Sequence, residues 1–126
     1  MKKKYQLQIF HSKMTIRELI KERQAEVGKS DLQPPRAAEI LNELASLIGN
    51  CNDEIRIRDV EYNQILLRFL ASEEKANWAK IKAETSAEYL AKREARDTKE
   101  VVIEMIRSLK FFLKAKEEEY RLSKNM

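Results

Sequence analysis

Few residues in this chain are of a type and spacing that could do chemistry. Cys51 is the single cysteine and His11 the single histidine, so a Cys–His nucleophile would need these two in one pocket. Cys51 falls among apolar residues at helical spacing, where a cysteine usually serves as a small apolar filler. Glu117, Glu118 and Glu119 form a carboxylate run, but no Glu-x-x-His pair of the di-iron kind accompanies it, and the expectation is a solvated face without metal or cofactor. With Gly28 and Gly49 as the only glycines, no phosphate-binding loop and no Gly-x-Ser-x-Gly elbow can be built. These absences make a non-enzymatic protein the expectation.

Binding chemistry has more material. Lys75, Lys80, Lys82, Lys92, Arg93, Arg96 and Lys99 flank a predicted helix-to-helix turn. Trp78 and Tyr89, in the same stretch, offer faces on which a base could stack. If several chains brought these cations together, Arg would hold phosphates bidentately. Glu73, Glu74, Glu84, Glu88, Glu94, Asp97 and Glu100 match them in number, which is equally the signature of alternating surface ion pairs. Arg58 stands out separately, because a charge at a core position is costly unless paired and often fixes register. A carboxylate of a neighbouring helix (Asp53, Glu54 or Asp59) is its expected partner.

The elements that must position these groups read as helices. In 126 residues, with 37% charged, 43% hydrophobic and two Pro, the composition is that of long helices, and the length suits one domain. Thr15-Ile-Arg-Glu18 has capping-box spacing, and Ile16, Leu19, Ile20 and Val27 follow on one side of a helix predicted over 15–27, which Gly28 can close in a left-handed conformation. Pro34-Pro35 opens a second helix, predicted over 35–83, with an apolar seam at Ala37, Leu41, Leu44, Ile48, Cys51, Ile55, Tyr62, Ile65 and Phe69 that Arg58 interrupts. Thr85-Ser-Ala-Glu88 repeats the capping spacing and starts a third helix, predicted over 86–121, with Ala95, Thr98, Val102, Met105, Leu109, Phe112 and Lys116 along its seam.

The predicted fold is therefore all-α: a long antiparallel helical hairpin with a short N-terminal helix, in a coiled-coil-like bundle. At about 1.5 Å per residue the two long helices would reach roughly 70 and 50 Å, too long for the first helix to cover. Either the second helix breaks near 71–76 to give four helices, or copies of the chain complete the bundle as a homo-oligomer, the preferred expectation.

The net charge of +4 belongs to the N-terminal part, where residues 1–29 hold eight Lys/Arg against three Glu. Residues 1–13 read as a flexible basic arm with a period-two run at Tyr5, Leu7 and Ile9, and Met14 is a second possible start. Lys2, Lys3 and Lys4 would give that arm non-specific contacts to nucleic-acid phosphates. No stretch is apolar enough to span a bilayer, and the lone cysteine gives no support to an oxidising compartment, so the expected location is the cytoplasm.

Lys82 to Tyr120, KAETSAEYLAKREARDTKE followed by VVIEMIRSLKFFLKAKEEEY, resembles the C-terminal half of small helical proteins of tailed bacteriophages and prophages, with weaker similarity back to Met14. The resemblance implies an accessory protein of unassigned role in the host cytoplasm and carries over no functional residue. Three functions follow as expectations. The first is an oligomeric interaction protein engaging a host protein in host takeover or counter-defence. The second is an oligomeric sponge for a small anionic nucleotide, held by Arg58, Lys82, Lys92, Arg93, Arg96, Lys99, Trp78 and Tyr89. The third is non-specific nucleic-acid binding through the arm.

Overall fold

A hydroxyl at the right place starts the first helix: Thr15 is extended, and its Oγ1 accepts the Glu18 amide at 3.1 Å. In the computed structural model, which describes residues 14–72 and 75–125, four helices follow: α1 (Ile16–Val27), α2 (Pro34–Ser72), α3 (Ala76–Glu84) and α4 (Ala87–Lys124). No strand occurs among the described residues, and the protein is an all-α helical bundle. Lys2, Lys3, Lys4, His11 and the period-two run lie outside the described residues.

The described residues group into two compact units. One comprises the described residues up to Leu47 together with those from Glu104 onward, and the other is Ile48–Ile103. α2 and α4 each contribute a segment to each unit.

In the first unit Ile20 of α1 is buried, as are Ala37, Ile40, Leu44 and Leu47 of α2 and Met105 and Leu109 of α4. Charged contacts fix how α1 lies on α2. Arg23 Nε donates to Glu43 at 3.0 Å, and Arg36 grips Glu26 through two nitrogens, with the Nη2 bond at 2.9 Å. Rising numbers on α1 meet falling numbers on α2, so the two are antiparallel. The hydrogen bonds from Arg36 hold the Glu26 carboxyl below its usual range, outweighing partial burial, and Arg23 and Lys29 add smaller attractions. A depressed carboxylate stabilises the fold above its unfolded pKa of about 4.3 and loses that contribution as pH falls through the folded value. Glu26→Gln should accordingly flatten the acid side of a denaturation-midpoint profile between about pH 5 and pH 2, and an unchanged profile would remove the pair from the account.

Gly28 does not adopt the left-handed conformation expected of it. With φ −72° and ψ −8° it stays right-handed, and α1 ends by tightening, the Lys29 amide donating to the Glu26 carbonyl at 3.2 Å. The helix predicted over 35–83 is likewise corrected, and the break near 71–76 that gives four helices, the less preferred of the two expectations, is what occurs. α2 ends at Ser72, and Lys75 is extended (φ −117°, ψ 127°) ahead of α3. Between Ala71 and Asn77 the sequence has no large apolar side chain, so nothing rewards a continuous helix there. The separate α3 instead buries Ala79 and Ala83 completely.

The start of α4 shifts by one residue from the expected cap. Ser86 Oγ, not Thr85, accepts the Tyr89 amide (3.2 Å), whereas Thr85 Oγ1 turns back to donate to the Lys82 carbonyl (2.9 Å). Ser86→Ala should cost about 1 kcal/mol in chemical denaturation and Thr85→Ala less than about half of that. Equal costs would contradict the assignment.

Candidate functional site

Four of the residues singled out for binding, Tyr89, Lys92, Arg96 and Lys99, are three, four and three positions apart on α4. That spacing gives them one helix face. In the second unit this face meets α2: the Tyr89 and Tyr62 rings are 5.5 Å apart at 48°, Lys92 Nζ sits 4.4 Å from the Tyr62 ring centroid, and Arg96 Nη2 donates to Asp59 Oδ2 at 2.8 Å. Positions 59 and 62 thus face 96 and 89, which makes α2 and α4 antiparallel within this unit, as the hairpin requires.

The contacts spend much of the chemistry. Lys92 is held over an aromatic face, a contact worth about 0.5–2 kcal/mol depending on desolvation. Arg96 is neutralised by Asp59, whose other oxygen, Oδ1, is buried with no hydrogen-bond partner among the described residues. A buried carboxylate oxygen beside the guanidinium opposes a phosphate there, because it would repel the anion it sat next to. Arg93 and Lys82 are exposed, Lys99 is half-buried, and Trp78 is exposed on α3.

Arg58 finds its partners on its own helix and not on a neighbour. Nε donates to Glu54 at 2.8 Å, and Nη1 to Glu61 at 3.0 and 3.2 Å, one turn to either side. These bonds raise its pKa, and the side chain stays about one-third exposed, so the charge never enters the core. Cys51 is buried, which pushes its thiol up against a small opposing pull from Lys99. Such a thiol is a poor nucleophile at neutral pH. Glu117, Glu118 and Glu119 pair with Arg121 or Lys116 on α4, and no cluster suited to a metal ion occurs among the described residues. No described helix is long and apolar enough to cross a membrane.

Comparison with protein-family models, curated proteins and solved structures finds no match. What the site can do must be read from its own surface.

An open apolar stripe on α2 was not among the sequence candidates. Ile57, Val60 and Leu67 on α2 are 47, 50 and 65% exposed, with Leu70 at 40%. With Gln64 they occupy positions 57, 60, 64 and 67, a second seam on the side of α2 away from Cys51 and Tyr62. The 3-4-3 spacing was visible in the sequence. The stronger seam through Cys51 and Tyr62 masked it.

Proposed function

We propose that this chain is a non-enzymatic helical interaction protein that binds another polypeptide through the apolar side of α2. The supporting observation is the run of half-exposed Ile57, Val60 and Leu67, with Leu70 beside it, on one regular helix. Exposed apolar residues scattered singly need no explanation, but a contiguous set at seam spacing is what a partner helix covers. Following the resemblance to phage-encoded helical proteins, the reading extends to an accessory factor that engages a host protein. The nucleotide-sponge reading has less support, because Arg96 is already paired with Asp59 and Lys92 is stacked over Tyr62.

The test compares the full chain with its Leu67→Glu variant, each immobilised and exposed to bacterial lysate. Leu67 is largely exposed, so helicity by circular dichroism should be unchanged while proteins retained by the wild type are lost. Identical retention by both would sink the reading.

A further inference from the structure

The same face carries enough pattern to name an occupant. We infer that a second copy of this chain docks on it, α2 against α2, parallel and in register. The inference rests on the proposed interaction role of this face and makes a second copy, in place of a host protein, its occupant.

The heptad positions come directly from the exposed residues. Taking Ile57 as a places Val60 at d, Gln64 at a and Leu67 at d, with Asp53 at the preceding d and Ala71 at the following a. All six are exposed. The chain's own core takes the other side of the helix, where Cys51 and Tyr62 are buried. Among the described residues nothing covers the seam, and β-branched Ile57 at a with Leu67 at d matches a two-stranded parallel pair, with Val60 the β-branched exception at d.

Two features choose the orientation. Gln64 is polar at a core position. In a parallel, in-register pair it faces Gln64 of the second copy, and the two amides satisfy each other, as a-position amides do when they specify register. An antiparallel pair sets Gln64 against Val60 and leaves the amide against a hydrocarbon, which is unfavourable. Charge complementarity agrees. Arg56 at g and Glu61 at the next e face each other across a parallel pair, twice by symmetry, with Glu61 shared with Arg58 of its own helix; Asn63 meets Arg68 without conflict, and Asp53 meets its counterpart at the exposed end of the seam. Antiparallel packing gains Glu54 against Arg68 but places Glu61 against Glu61. Arg56 is three-quarters exposed and, among the described residues, holds Asp53 one turn away at 3.2 Å, a contact it can exchange or share.

The experiment uses the full chain with Val60→Cys, oxidised mildly at micromolar concentration, the wild type serving as control because its Cys51 is buried. A d-position residue faces its own counterpart only in a parallel register, so the variant alone should convert to a covalent dimer while the wild type does not. Native mass spectrometry should show the unoxidised wild type as a dimer and Val60→Glu as a monomer, with association weakened at least tenfold. If Val60→Cys closes only when mixed with Gln64→Cys, the pair is antiparallel and the orientation is overturned while the face remains an interface. A dimer indifferent to Val60→Glu, with no crosslink, overturns both the inference and the role of this face. A monomeric wild type overturns the second copy alone, and the lysate comparison with Leu67→Glu then decides whether the face binds a different protein.

Discussion

Replacing Leu109 by alanine is expected to lower the unfolding free energy by roughly 3 kcal/mol, within the range of about 2–5 for leucine-to-alanine changes in well-packed cores. Leu109 is 1% exposed and shares the first unit's interior with Ile20, Ile40, Leu44 and Met105. Its loss removes the transfer free energy of three carbons and leaves a cavity that flanking helices fill only in part. Small domains have about 5–15 kcal/mol in total, so this one change would shift a denaturation midpoint visibly. Leu122 on the same helix is the control. It is 65% exposed, and Leu122→Ala should move the midpoint by less than about 0.5 kcal/mol. Comparable losses at the two positions would mean that α4 packs differently from the burial described here.

The contrast between these leucines was legible in the sequence, since Leu109 sits on the predicted seam of α4 and Leu122 does not. The seam of α2 was read less well. Leu41 and Ile48 were placed at its centre, yet Ile40 and Leu47 are the residues buried, with Leu41 and Ile48 at the flanks. A helix in a bundle packs against more than one neighbour, so its buried stripe is wider than a two-stranded seam and its centre can rotate by a residue. The end of α2 had no glycine or proline to announce it, and the cap of α4 fell between two adjacent hydroxyl residues that sequence alone cannot rank. Around α3 hydrophobicity misleads. Ala79 and Ala83 are buried because small side chains let helices approach closely, whereas Trp78 and Ile81 are about half exposed.

Among the binding candidates, periodicity does place Tyr89, Lys92, Arg96 and Lys99 on one side of α4. What it cannot supply is the partner each meets, because Asp59 and Tyr62 come from 27 to 37 residues away in the chain. Arg58 shows the opposite case. Its carboxylates lie within one helical turn and are readable from the spacing, whereas a seam position by itself points to another helix.

Tyr62 should separate packing from titration in the second unit. The side chain is 7% exposed, packs its ring against Tyr89 and lies under Lys92, so Tyr62→Ala should cost about 3–5 kcal/mol, as truncation of a buried aromatic does. Tyr62→Phe keeps the ring and both contacts, and its cost near neutral pH should stay below about 1.5 kcal/mol. The two proteins should diverge in alkali. Burial raises the Tyr62 phenol above its ordinary value, and the negative charge of Glu84 and the neighbouring Tyr89 act in the same direction. An unfolded tyrosine titrates near 10, so above that pH the native state holds a proton that the unfolded chain has released. Stability from this group is complete below about pH 10 and declines as pH rises toward and through the folded value. Lys92 lies over an aromatic ring in both proteins, so the difference between them isolates the phenol. Denaturation midpoints measured from about pH 8 to 11 should therefore fall more steeply for the wild type than for Tyr62→Phe. Parallel curves would place the hydroxyl in water and leave only the ring in the core.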